Sequence, residues 1–165
     1  MKWNWLGSVL LLTLIAVVVL RPWEHQEVAP STSIAFVTRV IDGDTIEAQI
    51  GGRVEDVRLI GVDTPETVKP DTPVQCFGPR ASDFTHRLLE GRRVRLVLGA
   101  ERRDVYGRLL AYVYLRHRFF EAMLVRRGLA RALMIPPNDR FAPLLERLAL
   151  RAARAGRGLW GACPP

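Results

Sequence analysis

Cysteine is scarce in this chain of 165 residues: Cys76 and Cys163 are the only two. Cysteines so far apart do not match a zinc finger or ribbon, whose ligands come in close pairs. Neither has a histidine placed to activate it as a nucleophile. They suit a disulfide in an oxidising compartment, or else two unpaired thiols. Lysine is nearly missing too, since Lys2 and Lys69 are the only ones among 24 Lys+Arg. Internal repeats and low-complexity tracts are absent, which excludes solenoid arrays and flexible linker-like chains. No acidic loop has the ligand spacing of an EF-hand. Long apolar runs are missing except for one, Trp5 to Leu20.

What is present is arginine. The formal charge is +7, and residues 1–20 hold only Lys2 as a charged side chain, so 23 cations against 17 anions leave +6 on the remainder. Arginine stays charged at any working pH and grips phosphate through two N–H groups, so the excess suits nucleic acid or an anionic surface. The apolar run is flanked by Lys2 and Arg21 and by Trp3, Trp5 and Trp23. It reads as an uncleaved membrane anchor or a signal peptide over 1–23, with no small-residue cleavage pattern close behind it. Either way export is expected, with the domain held outside the cytoplasm at the membrane, or secreted if the segment is cut. Residues 24–33 read as a polar linker and 34–165 as one domain. Nothing points to a protein partner, and a monomer is expected.

The spacing predicts five β-strands, "SIAFVTRVID", "TIEAQIGG", "VEDVRLIGV", "RRVRLVLGA" and "RLLAYVYLR", with a hairpin at Gly51-Gly52. Three helices are expected. "GPRASDFTHRLLEG" has Pro79 near its start and Ala81, Phe84, Leu88 and Leu89 on one face. "FEAMLVRRG" is short. "RFAPLLERLALRAARAG" carries Phe141, Leu144, Leu145, Leu148, Ala149 and Ala152 at helical spacing, with Arg147, Arg151 and Arg154 off that stripe. Strands first and helices mostly later give an α+β domain on a small barrel.

In this basic chain, carboxylates gather in two turn-rich stretches: "VIDGDT", with Asp42 and Asp44, and "RLIGVDTPET", with Asp63 and Glu66. Hard cations such as calcium take carboxylate and carbonyl oxygens. Asp44, Asp63 and the carbonyl of Thr64, held extended by Pro65, can converge on one ion. Glu66 lies near enough to hold a water, and Arg58 and Arg108 can grip a phosphate. Strand alternation sets Arg58 and Asp63 on opposite faces, so the reading requires a bend near Gly61.

With "VIDGDT", "RLIGVDTPET", "GPRAS", "YGRLLAYVY", "EAMLVRRGLA" and "GLW" in order, the chain resembles the staphylococcal nuclease (thermonuclease) family from about Ser33 to Trp160. The resemblance implies a five-stranded OB-type barrel with three helices. It also implies calcium-dependent hydrolysis of DNA and RNA, giving 3′-phosphate products with little sequence specificity. Asp44, Asp63 and the Thr64 carbonyl match the family's calcium ligands. Glu66 matches its water-activating carboxylate, and Arg58 and Arg108 match its phosphate-binding arginines. Tyr106 matches a substrate-binding tyrosine. The family fold brings the chain end near the start of the first helix, which makes a Cys76–Cys163 bridge an expectation. The departures lie around base recognition: Val105 replaces a lysine, and Met134 and Pro136 stand where tyrosines pack on the nucleotide. The rival reading is a catalytically silent OB-type nucleic-acid-binding module anchored at the membrane.

Overall fold

The computed structural model describes residues 31–68 and 72–164. The segment read as anchor or signal, 1–23, and the linker up to residue 30 lie outside the described residues. No helix among the described residues is long and apolar enough to cross a membrane. The elements are β1 (Thr32–Val40), β2 (Thr45–Ile50), β3 (Arg53–Leu59), β4 (Val62–Asp63), α1 (Gly78–Leu89), β5 (Arg93–Arg103), β6 (Leu109–Leu115), β7 (Arg118–Phe119), α2 (Phe120–Arg126), β8 (Arg131–Ala132), α3 (Ala142–Arg154) and α4 (Leu159–Ala162).

The alternation in β1 explains how the barrel forms. Ala35 and Val37 are buried while Ile34 and Phe36 face outward, so one face of the strand must find a core. β2 and β3 continue from β1 as an antiparallel meander, with Ile50 facing Arg53 across the Gly51-Gly52 turn. β5 pairs with the other edge of β1, and β6 with β5. β3 and β6 then pair in parallel, Val57 opposite Leu109 through Leu59 opposite Ala111, and this closes a five-stranded barrel. β7 extends the sheet beside β6, and β4 with β8 forms a separate two-stranded ladder. β1 begins at Thr32, inside the stretch read as linker, because Thr32 and Ser33 pair with Val97 and Leu96 of β5.

The helices cap the barrel with the stripes read from the sequence. Ala81 and Leu89 of α1, Leu124 and Val125 of α2, and Leu145 and Leu148 of α3 join Val37, Ile46, Val57, Leu59, Leu96 and Val113 in one core. A second cluster lies on the outer side of the sheet, where Ile60, Val97 and Tyr112 pack with Phe119 and Phe141. The Tyr112 and Phe141 rings meet edge to face at 4.8 Å. The Tyr112 hydroxyl donates to the Asn138 carbonyl at 3.1 Å, and the Asn138 amide bridges both main-chain groups of Glu101 at 2.9 and 3.1 Å. These bonds hold the chain around 133–141 against β5.

One acidic side chain is sealed in this core. Glu121, in the first turn of α2, has no solvent exposure, and its Oε1 accepts from the Val113 N–H at 2.8 Å. Its Oε2 has no hydrogen-bond partner among the described residues. Burial therefore raises its pKa well above the usual carboxylate range. A raised folded-state pKa contributes stability that is fully present below the unfolded pKa and is lost as pH rises through the folded one. Glu121→Gln keeps the acceptor for Val113 and removes the titration. Urea midpoints of wild type and variant should therefore diverge with rising pH, wild type losing up to about 1.4 kcal/mol per pH unit within that window. A constant difference across pH would show that Glu121 is already ionised in the folded protein.

Candidate active site

The site is built at one mouth of the barrel, where the β1–β2 turn, the end of β3 and the start of β6 meet. Gly43 lets the turn approach the β4 segment. A Cβ there would sit 2.7 Å from the Thr64 hydroxyl oxygen, so any side chain would push Asp44 out of place. The Gly43 carbonyl accepts from the buried Thr85 hydroxyl of α1 at 2.7 Å, which fixes the turn from behind. The Asp44 carbonyl in turn accepts from the Leu59 N–H at 2.9 Å.

Asp44 is buried and fully engaged. Its Oδ2 accepts from the Thr64 N–H at 2.7 Å and the Thr64 hydroxyl at 2.9 Å. Its Oδ1 lies 3.2 Å from Arg58 Nη1. Arg58 Nη1 also donates to the carbonyls of Leu59 and Val62 at 2.8 and 2.9 Å, and Nη2 lies 3.6 Å from Asp63 Oδ1. One guanidinium thus gathers the carboxylates of two separate sequence stretches. The bend that permits this is at Gly61, whose φ of 83° lies in the left-handed region; a Cβ there would sit 2.6 Å from Leu145 Cδ1.

Arg108 enters from the start of β6. Asp104 holds it twice, accepting from its backbone N–H at 2.9 Å and from Nε at 2.7 Å. That leaves both terminal nitrogens of the fork for an anion. Arg58, Arg108 and Tyr106 line one pocket of about 330 Å³, walled on the apolar side by Leu59, Ile60, Val62, Leu110, Leu133 and Ile135. Tyr106 is exposed on the rim, with the Arg108 guanidinium 5.3 Å from its ring centroid, and Val105 beside it is 93% exposed. Met134 is exposed as well, and the flanking Leu133 and Ile135, rather than Met134 or Pro136, line the pocket.

Glu66 lies past β4 in the loop before α1. Its Oε1 accepts from the N–H groups of Thr67 and Val68 at 2.8 and 2.9 Å. Its main chain is clasped by Gln75: the Glu66 N–H donates to Gln75 Oε1, and the Gln75 N–H donates to the Glu66 carbonyl, both at 2.9 Å. The next residue, Cys76, is joined to Cys163 by a disulfide.

Four supporting residues escaped the sequence reading. Thr85, Asp104 and Gln75 position Gly43, Arg108 and Glu66. The fourth, Asp42, receives the Asp44 N–H at 3.0 Å, and burial first, then the Asp44 charge, pushes its carboxyl up to about 6. The sequence signal for it was its place in "VIDGDT", two residues from Asp44.

Among the described residues no three His, Cys, Asp or Glu side chains gather into a metal-binding group. The donor chemistry of Asp44, Asp63 and Thr64 nevertheless fits a hard divalent cation. All are oxygen donors, and both carboxylates reach a single guanidinium and so face one small volume.

A family model described as staphylococcal nuclease homologue matches residues 56–162. The thermonuclease of Staphylococcus intermedius is 51% identical over 125 residues, covering 76% of this chain and 74% of that protein. The thermonuclease of Staphylococcus hyicus is 47% identical over 124 residues, covering 75% and 73%. Endonuclease YncB of Bacillus subtilis (strain 168) is 43% identical over 105 residues, covering 62% of this chain and 50% of its own length.

Proposed function

Because the chain belongs to the staphylococcal nuclease family and is a phosphodiester hydrolase, we propose that it cuts DNA and RNA with little sequence specificity, requires calcium, and leaves 3′-phosphate ends. The observation that carries this reading is the Asp44–Arg58–Asp63 cluster, whose arginine lines the same pocket as Arg108. Asp44, Asp63 and the Thr64 carbonyl would hold the ion. When bound, calcium supplies a positive centre that polarises the phosphodiester.

The chain's own residues account for the rest. Arg58 and Arg108 present N–H groups to the equatorial oxygens of the attacked phosphate, where charge builds as the water adds. Asp104 orients Arg108 for that contact, while Asp44 and the Leu59 and Val62 carbonyls orient Arg58. Glu66 accepts a proton from the attacking water, the P–O5′ bond breaks as the new P–O bond forms, and the departing 5′-oxygen takes up a proton from solvent. The pocket wall offers apolar carbons and the Tyr106 ring in place of an array of groups for base edges, which supports low base preference.

Export supports the same picture. A disulfide forms and persists in oxidising compartments, and the apolar run at Trp5–Leu20 would deliver the domain there, tethered at the membrane or released. The full chain, incubated with single-stranded DNA or RNA, should cut both in calcium and neither in excess chelator, with activity restored by added calcium. Undiminished cleavage in chelator would overturn the metal requirement.

A further inference from the structure

We propose that five arginines outside the pocket, Arg80, Arg126, Arg127, Arg131 and Arg157, form a track for the phosphate backbone of a long single-stranded nucleic acid, leading away from the scissile bond. This rests on the nuclease reading and extends it from one diester to a polymer. All five are exposed. None forms an ion pair with a carboxylate among the described residues, where Arg39, Arg58, Arg87, Arg103 and Arg108 all do.

Three of the five are held over aromatic rings: Arg80 over Phe77 at 5.3 Å, Arg127 over Phe84 at 4.9 Å and Arg131 over Trp160 at 4.7 Å. Stacking covers one face of a guanidinium and fixes its plane, while N–H groups along its edge remain for phosphate; in Arg127 one of them, on Nη1, donates to the Met123 carbonyl at 3.2 Å. An arginine already ordered in this way loses less side-chain entropy on binding.

The elements bring the five arginines to neighbouring parts of the fold. Arg131 of β8 stands opposite Asp63 of β4 in the two-stranded ladder, so the track begins beside the proposed ion site. Arg131 stacks on Trp160 of α4, and the neighbouring Leu159 N–H donates to the Gly128 carbonyl at 2.9 Å. There the backbones of 127–128 and 157–158 touch, and a Cβ on Gly128 would strike the Arg157 carbonyl. Arg157 also donates to the Arg126 carbonyl at 3.4 Å. Arg126, Arg127 and Arg157 are thereby drawn together. The Cys163–Cys76 bridge then ties α4 to the start of α1, which carries Arg80. The three arginines off the α3 stripe, Arg147, Arg151 and Arg154, have no ring beneath them among the described residues and provide a control with the same charge.

The test compares the full chain in detergent with the triple variant Arg127→Gln/Arg131→Gln/Arg157→Gln, with its all-lysine counterpart, and with Arg147→Gln/Arg151→Gln/Arg154→Gln. Binding of a long labelled single strand is read by fluorescence anisotropy across salt, in chelator, so the result does not depend on cleavage. Each phosphate contact contributes about 0.7 to the slope of log affinity against log salt for single strands, so the track triple should lower the slope by about 2. The α3 triple should stay near wild type, and the lysine triple should recover most of the slope. In calcium, the track triple should also raise KM for the long strand by about tenfold more than for a dinucleotide diester. Single Arg127→Gln and Arg131→Gln variants, each expected to lower the slope by a smaller step, provide the same reading if the triple fails to fold. Equal slopes for the track and α3 triples would overturn the track. A chain that binds with the expected slopes but cleaves nothing would instead overturn the nuclease reading.

Discussion

Glu66→Gln is expected to lower kcat by about 10²–10⁴-fold, the usual contribution of a positioned general base, while affinity for uncleaved DNA and the melting midpoint stay near wild type. The structure makes this an unusually clean substitution. The contacts of the Glu66 carboxylate within its own turn include the N–H groups of Thr67 and Val68 on Oε1, and a glutamine Oε1 still accepts both, without the charge assistance. The main chain on either side is held by Gln75, independently of the Glu66 side chain. Gly78 packs against the Pro65 and Glu66 carbonyls so closely that a Cβ would lie 3.0 and 2.8 Å from them, which supports the backbone at Glu66 from the side of α1. The variant therefore loses the negative charge and the basicity while keeping an acceptor for this turn. Single-turnover cleavage and oligonucleotide binding separate the two roles: a fall in kcat alone marks an interaction made in the transition state, and a matching loss of affinity marks ground-state binding. Near-full turnover in the variant would remove Glu66 from the chemistry.

Elements with their own periodicity could be read from the sequence. Alternation in "SIAFVTRVID" and the 3.6-residue stripe of "RFAPLLERLALRAARAG" each point to one buried face, and the structure buries those faces. The two-residue strands β4, β7 and β8 have no period to detect, since partners across the fold define them. The same reason hides the start of β1, where polar Thr32 and Ser33 become strand because β5 extends that far to meet them. Site residues divide in the same way. Arg58, Asp44 and Asp63 stood out by chemistry and motif, and the need for a bend between Arg58 and Asp63 was a matter of counting, which Gly61 answers. Thr85 and Gln75 gave no such signal. A threonine on a helix and a glutamine in a loop are commonplace, and their roles arise only when the barrel sets Gly43 and Glu66 beside them. Asp104 falls between these cases: four residues from Arg108, it is close enough to suspect but indistinguishable from a turn aspartate without coordinates.

Removing the Cys76–Cys163 bridge should cost more stability than any other change considered for this protein. The bridge joins residues 87 apart in sequence. Closing a loop of that length in the unfolded chain removes entropy worth about 4–5 kcal/mol in the chain-entropy model, a large share of the roughly 5–15 kcal/mol that holds a domain of this size together. Unreduced protein from the oxidising compartment should yield the linked Cys76–Cys163 peptide by mass spectrometry. The Cys76→Ala/Cys163→Ala variant should unfold at a much lower urea concentration than the oxidised wild type, and reduced wild type should behave like the variant. Activity should fall as well, at urea concentrations where both proteins are still folded. Cys76 directly follows Gln75, whose two bonds hold the Glu66 main chain, so freeing Cys76 from α4 loosens the segment that carries the proposed base. Stability and catalysis are thus tied to one covalent bond, and they separate in a defined way. Cys76→Ala/Cys163→Ala combined with Glu121→Gln should regain stability at alkaline pH without regaining kcat, because Glu121 acts where α2 packs on β6, through its bond to the Val113 N–H. If kcat recovers together with stability, the lost activity came from global unfolding, and the bridge has no local hold on Glu66.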